Sequence, residues 1–126
     1  MARILLVEDD QDVLMLFSEV LAEAGHAVDW AETFKGGAEL LIRGEYDLLL
    51  SDGRLPDGTG IMLADRARAK GIAAVIITGY PLGMLKHGDN IDLREYKVLR
   101  KPITTSALLA VVSRETAHLD GTAAHL

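Results

Sequence analysis

Three short, unbroken apolar runs, Ile4-Leu5-Leu6-Val7, Leu48-Leu49-Leu50 and Val75-Ile76-Ile77, constrain this chain more than any other feature. A strand with one wet face alternates apolar and polar residues, whereas a strand covered on both faces reads as a continuous apolar run. Strands of that kind belong to parallel sheets, which need helices on both faces. The segments between the runs supply them. Val13, Leu16, Phe17, Val20, Leu21 and Ala24 recur at helical spacing, with Asp10 or Asp12 placed to cap the start and Gly25 placed at the end. Phe34, Gly37, Ala38, Leu41 and Ile42 form a second stripe, stopped by Gly44. A third helix, rich in small residues, is predicted over residues 60–70 and ends at Gly71. Leu108, Leu109 and Val112 mark a last one, with Thr104 as its N-cap.

Two weaker strands complete the pattern. Residues 27–31 carry polar interruptions, which points to a sheet edge, and residues 96–100 form the fifth strand; the middle strand is predicted over residues 46–51. Pro56-Asp57-Gly58 reads as a turn. The segment over residues 79–95 holds Pro81, Gly83 and Gly88, so any helix there is short or loosely held. Strand and helix thus alternate five times without an internal repeat, implying an α/β three-layer sandwich with right-handed crossovers. The 126 residues suffice for one such domain. Residues 1–117 are expected to form it, and residues 118–126 to be a C-terminal tail that frays.

The remaining composition mainly excludes. A net charge of −6 argues against broad electrostatic binding to nucleic acid or anionic membrane. No cysteine is present, so neither disulfides nor thiol chemistry arise. No apolar run approaches the roughly 20 residues that span a bilayer, and the reading is a soluble, cytoplasmic protein. The four histidines show no metal-binding spacing. Trp30 is read as a packing residue, and Arg66, Arg68 and Lys70 as a solvated helix face.

In doubly wound sheets, function gathers at the carboxyl ends of the strands, near the point where strand order reverses. The polar residues of this chain fall there: Glu8-Asp9 after the first strand, Asp52 after the third, Thr78 after the fourth and Lys101 after the fifth. Each has an ordinary explanation if taken alone. Glu8-Asp9-Asp10 could merely charge the start of a helix, Thr78 could end a strand, and Lys101 could be a surface lysine. Together they are three converging carboxylates, which repel one another unless a divalent cation intervenes, and an all-oxygen donor set suits Mg²⁺. A carboxylate can also act as nucleophile and form an aspartyl-phosphate. Transfer of a phosphoryl group then needs in-line positioning and positive charge, which Mg²⁺ and Lys101 can supply, and a hydroxyl donor, which Thr78 offers.

The motifs Ile4-Leu5-Leu6-Val7-Glu8-Asp9, Ser51-Asp52-Gly53-Arg54-Leu55-Pro56-Asp57-Gly58, Thr78-Gly79 and Lys101-Pro102, in this order and spacing, resemble the receiver domain of two-component response regulators over about residues 2–115. The resemblance implies a flavodoxin-like (βα)5 fold with parallel strand order 2-1-3-4-5. It implies that Asp52 takes a phosphoryl group from the phosphohistidine of a sensor histidine kinase or histidine phosphotransferase. Glu8, Asp9, Asp52 and the backbone carbonyl of Arg54 would bind Mg²⁺, Lys101 and Thr78 would hold the phosphoryl group, and the Lys101-Pro102 bond would be cis. Phosphorylation would switch a face made of the fourth helix, fifth strand and fifth helix, toward an unknown downstream protein. The implied protein is not itself an enzyme, binds neither nucleic acid nor membrane directly, and is a monomer or weak homodimer. It would act as a stand-alone messenger or as a receiver from a larger kinase.

One departure from that family stands out. The switch aromatic expected three residues before the lysine is Val98 here, so Tyr96, on the same strand face, or Tyr80 would take its place, or residues 81–88 would reorder instead. The resemblance also puts Arg54 and Tyr80 at the two positions that, in the family, flank the path of the hydrolytic water, and their bulk there implies a long-lived phosphoryl group. Two rivals fit less well. A haloacid-dehalogenase-like phosphatase would show Asp-x-Asp-x-Thr, whereas Gly53-Arg54 follows Asp52; a flavodoxin would need hydroxyls where Glu8-Asp9-Asp10 would repel its phosphate.

Overall fold

The computed structural model describes residues 1–79 and 96–120, with the side chain of Asp120 left out. Its frame is a five-stranded parallel sheet of β1 (Arg3–Val7), β2 (Ala27–Ala31), β3 (Leu48–Asp52), β6 (Ala73–Thr78) and β7 (Lys97–Arg100), in the order β2-β1-β3-β6-β7. Between β3 and β6, β4 (Arg54–Leu55) and β5 (Gly58–Thr59) pair as a short antiparallel ribbon. With the ribbon set aside, this is the flavodoxin-like strand order 2-1-3-4-5.

The doubly apolar runs account for the three layers. Ile4 and Leu6 of β1, Leu48 and Leu50 of β3 and Val75 and Ile77 of β6 turn to one face. There they meet Leu14, Phe17 and Leu21 of α1 (Gln11–Glu23) and Leu108, Val111 and Val112 of α4 (Thr105–Thr116). The intervening residues Leu5, Val7 and Leu49 turn to the other face, against Ala38 and Leu41 of α2 (Phe34–Arg43) and Leu63 and Ala67 of α3 (Gly60–Ala69). Ile76 of β6 packs with Ile61 and Ala64 of α3 in a smaller cluster that Tyr96 and Val98 join. No helix among the described residues is long and apolar enough to cross a membrane.

The helix ends follow the local chemistry. Asp10 caps α1, accepting from the Asp12 and Val13 N–H groups, and Thr33, Thr59 and Thr104 cap α2, α3 and α4. Gly25 and Gly71 close α1 and α3 at φ +95° and +78°, a region that side chains resist. Gly44 ends α2 for a different reason: a Cβ there would lie 2.7 Å from the Tyr46 ring. Ala117–Asp120 continues α4 as a 3₁₀ turn, while residues 121–126 of the predicted tail lie outside the described residues.

Several sequence readings need adjustment. The third strand begins two residues later than predicted and runs into Asp52, because Asp47 is occupied in bonds with Arg3 of β1, from whose N–H its carboxylate accepts at 2.7 Å. Trp30 is not core packing; it is 54% exposed on the edge strand. The basic face of α3 is exposed, as expected, and makes contacts besides. Arg66 stands 5.0 Å over the Phe34 ring and Arg68 5.3 Å over Tyr96, while the Lys70 ammonium donates to the carbonyls of Leu41 and Gly44. The helix expected in residues 79–95 falls almost wholly outside the described residues.

Candidate functional site

The chain passes from β1 to β2 on one side and returns to β3 on the other, so strand order reverses between β1 and β3. A crevice must open where the two connections part. Glu8 and Asp9 leave β1 at that point, and Asp52 is the last residue of β3. One carboxylate oxygen from each of Glu8, Asp9 and Asp52 lies within 4.8 Å of the others. Asp9 is exposed, whereas Glu8 and Asp52 are only 3% and 8% exposed.

Lys101 arrives from the far side of the crevice, directly after β7. Its ammonium sits 2.5 Å from a Glu8 oxygen and 3.4 Å from an Asp52 oxygen. Its own N–H donates to the carbonyl of Thr78 at 2.8 Å, so the lysine and the buried threonine that ends β6 are tied backbone to backbone. The bond from Lys101 to Pro102 is cis, as the resemblance implied. Asp9, Asp10, Asp52, Arg54, Leu55, Pro56, Gly79 and Lys101 line an open crevice of about 500 Å³.

The electrostatics are unbalanced. Burial, a hydrogen bond with Asp52 and repulsion from it push the Glu8 carboxyl up to about 7, although Lys101 pulls the other way. Burial alone would lower the Lys101 ammonium, but Glu8 and Asp52 outweigh it and raise it. The lysine therefore stays charged, and its ammonium is shared by Glu8 and Asp52, with the Asp9 carboxylate beside them. A hard divalent cation relieves such a deficit, and a set of carboxylate oxygens on an open crevice fits Mg²⁺, which keeps several waters.

The loop after Asp52 is held from two sides. A Cβ on Gly60 would lie 2.3 Å from the carbonyl oxygen of Asp52, so only glycine lets α3 begin there, and the Gly60 N–H donates to the Gly53 carbonyl. Asp57, read from the sequence only as a turn residue, accepts from the Phe34 and Lys35 N–H groups at 2.6 and 3.0 Å. Those bonds hold its carboxyl below the usual carboxylate range. The sequence reading missed this contact, whose only signal was an unexplained acid opposite a helix start. The Arg54 N–H reaches an Asp52 oxygen at 3.4 Å.

Each residue expected at the site is thus placed around one crevice: Glu8, Asp9, Asp52, Arg54 and Lys101 directly, and Thr78 through its backbone bond to Lys101. Tyr80 lies outside the described residues. Tyr96 stands before β7, on the face it shares with Val98, and its hydroxyl donates to Asp65 of α3 at 2.6 Å.

A doubly wound parallel sheet with an acid-rich crevice at its switch point defines a class of fold, and comparison with known proteins identifies the family. The response regulator receiver domain model matches residues 4–113. The chain belongs to that family, and so to two-component signalling. It is 36% identical over 113 residues to the probable transcriptional regulatory protein SilR of Salmonella typhimurium, covering 87% of this chain and 49% of that protein. It is 35% identical over 118 residues to the aerobic respiration control sensor protein ArcB of Escherichia coli, covering 89% of this chain and 15% of that one. The chain therefore spans about half the length of the first relative and a small part of the second. Among solved structures, a CheY-like receiver domain protein from Methanospirillum hungatei superposes with a TM-score of 0.81 at 23% identity, covering 96% of this chain and 98% of its own. Response regulator TrrA from Thermotoga maritima, solved with Mg(2+)-BeF, gives 0.78 at 24% identity, covering 91% and 99%. These two likenesses concern the fold.

Proposed function

We propose that Asp52 is the phosphoryl acceptor of this receiver domain, charged from the phosphohistidine of a sensor kinase or histidine phosphotransferase. The observation that carries the reading is the Lys101 ammonium set between the carboxylates of Glu8 and Asp52. An oxygen of Asp52 bonds to phosphorus as the phosphorus–nitrogen bond breaks, and the electron pair stays with the imidazole of the donor. Lys101 exchanges a carboxylate partner for a phosphoryl oxygen, and a unit pair about 4 Å apart near a surface is worth on the order of 4 kcal/mol at an effective dielectric near 20. The Thr78 hydroxyl donates to a second oxygen. Mg²⁺ held by Glu8, Asp9, Asp52 and the Arg54 carbonyl would neutralise charge gathering on the phosphoryl oxygens.

In this reading the phosphorylated chain acts through protein contacts at the face of β7, α4 and the helix assigned to residues 79–95. Tyr96 or Tyr80 reports the change in place of Val98, or residues 81–88 reorder instead, and the bulk of Arg54 and Tyr80 slows hydrolysis. Residues 1–117 form the working domain and residues 118–126 its tail. A small phosphodonor such as acetyl phosphate, added with and without Mg²⁺ and followed by intact mass, tests the acceptor. One phosphoryl group per chain, lost in Asp52→Ala and without Mg²⁺, supports it; continuous turnover would mean a phosphatase instead. Partner binding unchanged in both Tyr96→Ala and Tyr80→Ala would remove the tyrosines from the switch.

A further inference from the structure

The sole tryptophan of the chain is spent neither on the core nor on the crevice. Trp30 lies on β2, the edge strand, with its side chain on the same sheet face as Val28, which packs beneath α1. At the edge the helix no longer covers that face. Trp30 remains 54% exposed, and Met15 of α1 is 60% exposed. Together with Gln11, Leu14, Ser18 and Glu32 they line a largely apolar groove of about 330 Å³, separate from the residues lining the acidic crevice. Exposed apolar side chains gathered in one place mark contact sites, and Trp and Met are enriched at the centres of interfaces.

The charge around the groove indicates its occupant. Between residues 8 and 32 the chain carries eight carboxylates and no lysine or arginine, which more than accounts for the net −6 of the whole. Asp12, Glu19 and Glu23 belong to α1, and Glu32 lines the groove itself. A second copy docking face to face would set these carboxylates against their own images. An anionic lipid surface or nucleic acid would meet the same repulsion. We infer that the α1–β2 groove is a docking surface for a basic amphipathic helix, whose apolar residues cover Trp30 and Met15 and whose lysines or arginines meet the surrounding acids. This surface is independent of the phosphoryl-acceptor reading, since no residue that lines it takes part in that chemistry.

Trp30 also reports its own burial. The test titrates the whole chain with a synthetic leucine–lysine amphipathic helical peptide, and with the leucine–glutamate version, following Trp30 emission and heat of binding. The lysine peptide should shift the emission to the blue and bind more weakly as salt is added, whereas the glutamate peptide should do neither. Met15→Ser and Glu32→Lys, both on the surface and checked for unchanged melting, should each weaken the lysine peptide at least tenfold. Lysine-peptide binding that both variants leave unchanged would overturn the inference, because the peptide would then sit on acids elsewhere. A blue shift that grows with protein concentration alone would also overturn it, in favour of a second copy.

Discussion

The two ends of the sheet treat their polar residues in opposite ways. At the amino ends polar groups meet complementary partners. The Ala2 N–H donates to His26 Nδ1 at 3.0 Å, Arg3 lies 5.7 Å over the Tyr46 ring, and the Tyr46 hydroxyl donates to Asp29 at 2.7 Å. Burial and that carboxylate push the Tyr46 hydroxyl up to about 12, so it stays a donor. At the carboxyl ends Glu8 and Asp52 share the Lys101 ammonium, with a third carboxylate, Asp9, close by. A closed network fixes structure, while a mismatched one leaves electrostatic energy for a ligand to release. Crowded acids at the switch point therefore mark the working end of this sheet, and matched pairs mark the other.

That contrast can be broken most forcefully at Lys101. Lys101→Ala leaves Glu8 and Asp52 buried without their cation, which should cost about 3 kcal/mol in ion-free denaturant melts at pH 8. Asp52→Asn should instead stabilise the ion-free fold by about 1 kcal/mol, since it removes a repulsion. If Asp52→Asn destabilises, the crevice is balanced after all.

Glu8 gives the next effect, through pH. Its folded value of about 7 exceeds the ordinary 4.5, so the folded chain holds this proton more tightly than the unfolded one. The resulting stability is complete below pH 4.5 and is lost as pH rises through about 7; the loss should be on the order of 3 kcal/mol. A divalent cation displaces the proton, so stabilisation by Mg²⁺ should grow over the same window. Melting curves at pH 5 and pH 8, with and without Mg²⁺, check both signs, and Glu8→Gln should flatten both dependences. Equal stabilisation by Mg²⁺ at the two pH values would show that Glu8 is not part of the ion's surroundings.

Smaller effects sharpen the comparison. Asp57→Ala removes two bonds at the start of α2 and should cost about 1.5 kcal/mol, against about 1 kcal/mol for Thr33→Ala, which removes one. Because Asp57 also holds the loop after Asp52, its loss should weaken Mg²⁺ binding in calorimetry, while Thr33→Ala should not. Tyr46→Phe, at the matched end, should cost only about 0.5–1 kcal/mol in urea melts and leave Mg²⁺ affinity unchanged.

Much of this was legible in the residues, because the strongest signals were local. Continuous apolar runs mark strands buried on both faces, and Ile4 to Val7 divide between the two core layers as alternation requires. Asp52, Thr78 and Lys101 could be placed at strand ends for the same reason. What sequence patterns miss is contact between distant segments. Nothing local distinguishes an Asp57 that turns a loop from one that also caps a helix 23 residues earlier in the chain. Trp30 was misread because burial at a sheet edge depends on how far α1 reaches across it, which composition does not encode. The basic face of α3 is exposed, as read, but its contacts could not be, since Phe34, Leu41 and Tyr96 lie on other segments.

The bare Cα of Gly60 against the Asp52 carbonyl has a mechanical consequence. Backbone meets backbone there without a side chain to act as a cushion, and the Gly60–Gly53 bond closes the loop between them. A shift of the strand end beneath the acid is passed to the first turn of α3 with almost no slack, so strain at the crevice floor is transmitted as movement of a whole helix rather than absorbed by a loop.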